Sequence, residues 1–577
     1  MIARDVSTFL RWAGVLVTRL RPGAPMPDLP LAWQRAQRTI AARLALGAVR
    51  EGLTAGSRRG DALVLDDGPE LPLARVGELE LHEPELGGPR HPWLEDPAVL
   101  WQQLGRDQPP AVRERVAAEL ADSAFNLGLA VLAEWLRPAW AAEHPDDPRA
   151  LDSEHWVTEG HPWHPMTKTR LGLGLAEHAQ LAPELLARTP LRAIDVDAEL
   201  VQATPQLTEH LEPWLGRAPS GSVRLPVHGR QLPRLARAFS DRWGTALRPA
   251  PWRDQARSLL SMRTVVTEPP LLGPLHLKLA LDVHTTSARR VVSPMSVLNG
   301  PRVSALLAEI QRRDPVCARL RVVPETMTGG LQQERVGPRA RELGIIVRDG
   351  RDFLGTDGRP AWVCAGLGRP APLDGRSGVE RLAEGFEGSP RQRAAAMLER
   401  YVEALVPPVL RFAVHGVALE AHLQNTLVLA RDGRPEGFVI RDLGGIRLHR
   451  PRLRAAGHAP SLHPDSFIET DDLEELRTKV SHTLLHAHLH TLLGWVEAIL
   501  GLPSAEGWAL VRRSIDTQLE RWAEEPGLRN ACEGDRRALL APRVRAKALL
   551  TMRIDDRSSD YAYIDVDNPL ARAAAQG

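Results

Sequence analysis

Cysteine is nearly missing from this chain: three occur in 577 residues, Cys317, Cys364 and Cys532. They form no CxxC pair, no zinc spacing and no even disulfide set, which suits a reducing compartment, and the expectation is a cytoplasmic protein. Lysine is almost as scarce, with only Lys168, Lys278, Lys479 and Lys547 among 73 basic residues. Alongside 48 prolines and 46 glycines, this arginine bias reads as the coding habit of a GC-rich genome. A lysine kept against that bias is kept for its ammonium. Excess charge of one sign is absent too, at 73 basic against 72 acidic residues, so charge gives no argument for nucleic acid or an anionic membrane as partner. Asp5 and Arg11 interrupt the apolar stretch at the N-terminus, and no signal-peptide core is expected there. No other run is expected to reach the roughly 20 apolar residues that span a bilayer. The common nucleotide and hydrolase signatures are missing as well: no GxxxxGK[ST], no GxGxxG opening a helix after a strand, no GxSxG, no HExxH.

What the chain does contain is concentrated in Leu419–Gly445, LEAHLQNTLVLARDGRPEGFVIRDLGG. Glu420, His422, Gln424 and Asn425 fall within six residues, and Asp442 follows seventeen positions after Asn425. Between them, apolar runs at Thr426–Ala430 and Gly437–Ile440 flank Arg431-Asp432-Gly433-Arg434, and Asp-Gly between two β-prone runs predicts a hairpin. A hairpin brings its ends together, so an amide and a carboxylate meet. Protein kinases hold magnesium on a nucleotide with the same pair of groups.

At 577 residues, roughly two to four folding units are expected. Residues 1–150 read as mainly helical, with Ala111–Leu136 apolar at helical spacing and interrupted by Gly128, and residues 61–92 hold room for a few strands. The His161-Pro162 and His164-Pro165 pairs place both histidines in a rigid loop, with Lys168 and Arg170 following; imidazole, ammonium and guanidinium together suit an anion better than a metal. Leu275–Val283 alternates strictly and predicts one half-buried strand, with His276, Lys278 and Asp282 on its polar face. Ser261–Val266 is its expected antiparallel partner, joined through Pro269-Pro270. Ser261, Arg263, Lys278, Thr286, Ser287 and Arg290 are then expected to converge on one sheet face, where bases and hydroxyls dominate, which favours phosphate. Arg391–Val406 predicts a helix leading into Pro407-Pro408. Asp471–Leu500 predicts one long helix with His482, His486 and His490 in a stripe, and Glu506–Ile554 reads as helical, with Lys547 in reach of a site.

Taken in order, Gly160–Gly172 (GHPWHPMTKTRLG), Ser261–Thr264 (SMRT), Thr286–Arg290 (TSARR), Glu420–Asn425 (EAHLQN) and Arg441-Asp442 resemble the IucA/IucC family of siderophore synthetases, as does Arg545–Arg553 (RAKALLTMR). The resemblance implies an α+β fold built as a three-part cradle: a helical thumb over 1–150, fingers with a phosphate-binding sheet over 151–335, and a palm over 336–577. It implies ATP- and Mg²⁺-dependent adenylation of a carboxylate, usually citrate. Pyrophosphate is released, and an amine, hydroxylamine or alcohol then displaces AMP to give an amide or ester. By motif, His161, Lys168, Ser261, Arg263, Lys278, Thr286, Ser287, Arg290, Gln424 and Asn425 would bind ATP. Thr286, Arg290 and His422 would face the acid, and Asn425 and Asp442 would hold magnesium. Arg290, His422 and Glu420 would carry catalysis, with the proton acceptor either His422 or Glu420. The doubled Arg289-Arg290 departs from the family's single arginine, so the register rests on the motif. A homodimer without membrane or nucleic acid is expected from the family.

Other readings remain at this stage. The acid is 2-oxoglutarate or a citryl monoamide in one. The chain is a non-catalytic nucleotide- or siderophore-binding member in another, which loss of Asp442, Asn425 or Arg290 would have favoured. A kinase-like phosphotransferase would need an aspartate shortly before Asn425, where this sequence has Glu420-Ala421-His422.

Overall fold

The first helices, Val6–Leu20 and Leu29–Arg50, each start at an aspartate whose carboxylate accepts a first-turn N–H: Asp5 from Thr8 and Asp28 from Leu31. In this computed structural model, residues 4–59, 62–65, 70–72, 92–147, 149, 152–268, 274–286, 288–355, 358–557 and 561–573 are described. The helix Pro110–Glu143 packs on both, and the rings of Phe9, Trp33 and Phe125 meet edge-on or tilted at their junction. Gly128 is required there, because a Cβ would come within 2.8 Å of the Phe9 ring. By length and composition Pro110–Glu143 is apolar enough to cross a bilayer, contrary to the expectation from sequence; 83% of its most apolar stretch is buried inside the fold, as in a core helix. Three short strands, Gly56–Arg59, Ala62–Leu65 and Glu70–Pro72, form a small sheet beside these helices; the rest of the expected strand region, 73–91, lies outside the described residues.

An eight-stranded antiparallel sheet forms the middle of the molecule, in the order Val201–Ala203, Met327–Leu331, Gly344–Asp349, Leu275–Leu279, Thr264–Thr267, Leu247–Ser258, Arg188–Asp197, Ser222–His228. The expected pairing of Thr264–Thr267 with Leu275–Leu279 is present, Lys278 opposite Thr264; the linker 269–273 lies outside the described residues. The alternating run does not remain one strand. It breaks at Ala280, and Leu281–Thr285 belongs to a separate three-stranded sheet with Arg170–Leu171 and Ala288–Arg290. Alternation continues across the break because both halves bury the same parity of side chain, so pattern alone could not show it.

The C-terminal half packs around the helix Pro390–Val414, which lies against the hairpin strand Arg434–Ile440. This helix runs through Pro407 and Pro408 instead of ending there. Pro407 has no N–H for the Glu403 carbonyl, and the Arg319 guanidinium donates to that carbonyl at 2.9 Å. The expected helix 471–500 is present as Leu473–Val480, a π-helical Ser481–His490 and Thr491–Leu500. The region 506–554 is not helical throughout: a strand, Arg543–Lys547, pairs with Tyr563–Asp567 between helices. The three cysteines are buried free thiols.

Candidate active site

The hairpin forms as its turn chemistry requires. Thr426–Arg431 and Arg434–Ile440 pair antiparallel, with Thr426 opposite Ile440 and both Asp432 and Gly433 at positive φ. At its open end the Arg441 N–H donates to the Asn425 carbonyl, so Asn425 and Asp442 emerge side by side. Glu154 ties this end to the next loop. Its carboxylate pairs with Arg441 at 2.5 Å and accepts the Leu260 N–H at 3.0 Å, while Arg441 also donates to the Gln424 carbonyl at 2.9 Å.

Six non-glycine residues have positive φ among the described residues, and three of them are Met262, Thr286 and Asp442. Each sits in a different motif segment. Strained backbone of this kind costs of order 1–3 kcal/mol per residue and persists where the surroundings impose it. For Thr286 the surroundings are the His-Pro loop: its N–H donates to the Thr169 carbonyl at 3.1 Å and its hydroxyl to the Thr167 carbonyl at 3.3 Å.

These loops, with the π-helical segment and the strand Arg543–Lys547, enclose a cavity of about 560 Å³. Six cations line it (Arg43, Lys168, Arg170, Arg290, Arg369 and Lys547) against three carboxylates, Glu159, Glu184 and Glu420. Glu159 bridges Arg43 and Arg369; Glu184 accepts from Lys168 at 3.0 Å and from Arg170 at 2.7 Å; Glu420 takes Lys479 from behind the wall. Arg290 and Lys547 make no ion pair with a described residue. Arg290 donates to the Thr285 hydroxyl, and the Lys547 ammonium lies 3.6 Å from the Tyr561 ring centroid. Burial pushes Arg290 down to about 10 and Lys547 well below the usual lysine range. The wall therefore carries more cationic than anionic side chains, and among the described residues Arg290 and Lys547 have no carboxylate in an ion pair with them.

All four lysines belong to this site. Lys168 and Lys547 line the cavity, Lys479 holds Glu420, and Lys278 lies 2.6 Å from Asp442. Burial works to raise the Asp442 carboxyl, but Lys278, Arg348 and Arg263 hold it well below the usual carboxylate range. Burial likewise opposes Glu420, yet Lys479, His422 and Lys547 bring it down to about 2. Burial pushes His422 down to about 4 and Lys168 to about 8. His161 accepts the Trp163 N–H at Nδ1, at 3.2 Å, which leaves Nε2 as its free nitrogen.

Of the residues singled out from sequence, His161, Lys168, Ser261, Thr286, Arg290, Glu420, His422 and Gln424 line the cavity. Asn425, Asp442, Lys278 and Arg263 do not; they stand next to it, Arg263 donating to the Val291 carbonyl at 2.6 Å. Ser287 lies outside the described residues. The single polar sheet face that sequence predicts is replaced by two sheets meeting: Lys278 comes from the eight-stranded one and Arg290 from the three-stranded one. The doubled arginine resolves by direction. Arg289 turns to Asp282 and Glu342, whereas Arg290 faces the cavity. Sequence reasoning missed Arg43, Glu159, Glu184, Arg369 and Tyr561, none of which stands out in the chain.

Residues 149–368 match the IucA / IucC family, and residues 396–562 match a family described as ferric iron reductase FhuF-like transporter. The chain is 28% identical over 460 residues to Staphyloferrin A synthase of Staphylococcus aureus, covering 76% of this chain and 75% of that one. It is 25% identical over 516 residues to D-ornithine–citrate ligase of the same organism, covering 80% and 77%. Over residues 149–368 the chain is similar to the IucA/IucC family. Among solved structures, the petrobactin biosynthesis protein AsbB of Bacillus anthracis superposes with a TM-score of 0.76 at 18% identity, covering 99% of both chains. ATP-bound aerobactin synthetase IucA of Klebsiella pneumoniae superposes with a TM-score of 0.72 at 20% identity, covering 92% of this chain and 99% of that one. These likenesses carry the fold, which is α+β as expected. Each IucA/IucC motif named above borders one cavity or the hairpin end beside it.

Proposed function

We propose that this chain is an ATP-dependent siderophore synthetase that adenylates a citrate-like carboxylate and condenses it with an amine, hydroxylamine or alcohol. The observation that carries this reading is the cavity's surplus of cations, with Arg290 in no ion pair among the described residues, beside the adjacent Asn425 and Asp442. A triphosphate and a polycarboxylate brought together repel each other, and a site that joins them must hold several fixed positive charges. Similarity to a citrate ligase and to a staphyloferrin synthase supports the acid and the product class.

In this reading the acid lies against Arg290, Thr286 and His422, and the phosphates lie against Ser261, Arg263, Lys278 and Arg290. A carboxylate oxygen attacks the α-phosphorus, the bond to the β-phosphate oxygen breaks, and pyrophosphate leaves. The nucleophile then attacks the acyl carbon, the C–O bond to AMP breaks, and one proton is lost. Of the two candidate acceptors, Glu420 is engaged by Lys479, while His422 is uncharged at neutral pH and faces the cavity. We assign the proton to His422.

The Asn425 amide and the Asp442 carboxylate are oxygen donors that fit magnesium, and Asp442 is held ionised by Lys278. Bound there, Mg²⁺ would supply charge neutralisation on the phosphates. Three hydrophobic clusters support the division into thumb, fingers and palm, with the strand Gly344–Asp349 added to the fingers' sheet, Leu550 and Ile554 to the thumb's core, and Val303, Ile310 and Leu320 to the palm's.

The test is pyrophosphate release with ATP, Mg²⁺ and hydroxylamine over citrate, 2-oxoglutarate, succinate and malate. Hydroxamate from one acid establishes adenylation and its substrate. Failure with every acid in protein that binds ATP leaves a pre-formed citryl monoamide as substrate, and failure to bind ATP overturns the proposal.

A further inference from the structure

The segment Ser481–His490 is π-helical over its whole length, and π-helical turns are rare and concentrate at functional sites. One of its faces meets the strand of chain that carries Glu420 and His422. The Thr483 hydroxyl donates to the Leu419 carbonyl at 3.2 Å. The Ala487 carbonyl accepts the Leu423 N–H at 3.2 Å. His488 Nδ1 donates to the Ala421 carbonyl, between Glu420 and His422, at 2.9 Å. A carbonyl only accepts, so Nδ1 carries the proton and Nε2 accepts from the Tyr401 hydroxyl, 2.7 Å away. His488 and Tyr401 are both fully buried. One turn earlier, Lys479 binds the Glu420 carboxylate itself.

We infer that the π-helical segment is a clamp that sets the aim of Glu420 and His422, with His488 as the positioning residue at its centre and Tyr401 fixing its tautomer. The inference rests on the synthetase reading for what the aim serves, but not for the clamp's existence. A backbone carbonyl accepting from a buried imidazole fixes the peptide plane between the two side chains, so both turn together if it is lost. Misplacement by about 1 Å costs on the order of 100-fold in turnover.

The test uses full-length protein with His488→Leu, His488→Asn and Tyr401→Phe. Asparagine places an N–H where Nδ1–H lies but cannot reach Tyr401. His488→Leu is expected to lower hydroxamate kcat about 100-fold with KM for ATP within about twofold, and His488→Asn to recover most of that loss. Amide hydrogen exchange in residues 419–425 is expected to rise about tenfold in His488→Leu, to fall back in His488→Asn, and to rise by less in Tyr401→Phe. Full turnover in His488→Leu, or equal loss in both His488 variants, overturns the clamp. If the wild-type chain forms no hydroxamate with any acid, the synthetase reading fails only where ATP does not bind either, and in both cases the exchange result decides the clamp alone: unchanged protection in His488→Leu overturns it.

Discussion

Arg290→Ala separates a functional cation from a structural one. Arg290 faces the cavity without an ion pair, and its recorded bonds go to the hydroxyl and carbonyl of Thr285. Burial, with Arg263, lowers it only to about 10, so it stays charged at neutral pH at a cost in desolvation that the charges of Asp442 and Glu420 offset only in part. Truncation gives up two hydrogen bonds of about 1 kcal/mol each and removes that partly compensated charge, so the net effect on folding is expected within about 1 kcal/mol of zero. On activity the arithmetic runs the other way. The guanidinium would lose its bonds to groups whose negative charge grows in the transition state, and removing one such donor costs about 10²–10³ in turnover. Pyrophosphate release should therefore fall by that factor while the thermal midpoint stays put. Arg290→Lys should recover little, because a point charge cannot reproduce the planar fork. Retained activity in Arg290→Ala, or a loss of activity matched by a fall in thermal midpoint, refutes the reasoning.

Asp442→Asn removes the carboxylate facing Lys278 and should raise the Mg²⁺ concentration needed for pyrophosphate release, while chelation of divalent metal should abolish release in the unaltered chain. Gly445→Ala puts a Cβ 2.4 Å from the Glu420 carboxylate and should lower kcat through Glu420, with a stability loss of about 1–3 kcal/mol by urea titration. Burial holds His155, His228 and His488 near a pKa of 4 and His164 and His486 near 3, against 6.5 for a free histidine. The unfolded chain binds protons below pH 6.5 that the folded one refuses, so stability is complete above 6.5 and is lost as pH falls. The slope is about 1.4 kcal/mol per pH unit for each histidine, and urea midpoints at pH 7 and 5.5 that agree would contradict this burial.

Much of the site was legible because its parts are local. Asp432-Gly433 dictates a hairpin turn within four residues, and the hairpin alone joins Asn425 to Asp442. His-Pro pairs dictate loop geometry within two residues each. What escaped depends on distant partners. Glu184 neutralises Lys168 across 16 positions and Lys479 engages Glu420 across 59, and no local pattern announces either. The histidine stripe escaped for a subtler reason. His482, His486 and His490 were legible as one face, and that face packs on Trp163 of the His-Pro loop. That the segment winds as a π-helix, with Thr483 and His488 on the Leu419 and Ala421 carbonyls, is not announced by its periodicity.

Scarcity proved as informative as any motif. A genome that writes arginine by default kept lysine at four positions, and three of them sit where an arginine would fail sterically or chemically. Lys278 and Lys479, each at most 3% exposed, deliver a single ammonium end-on to one carboxylate, Asp442 and Glu420. A guanidinium brings a broad planar fork that would leave several donors unpaired in the same buried space. Lys547 stands over the Tyr561 ring with no acceptor among the described residues, and burial, followed by the charge of Lys479, depresses its pKa. A guanidinium there would stay charged whatever its neighbours did, whereas an ammonium is able to yield its proton. Three of the lysines thus mark points where the site needs either a compact cation or a cation that can be switched off, and with Lys168 in the cavity wall they pick out the site as sharply as its motifs do.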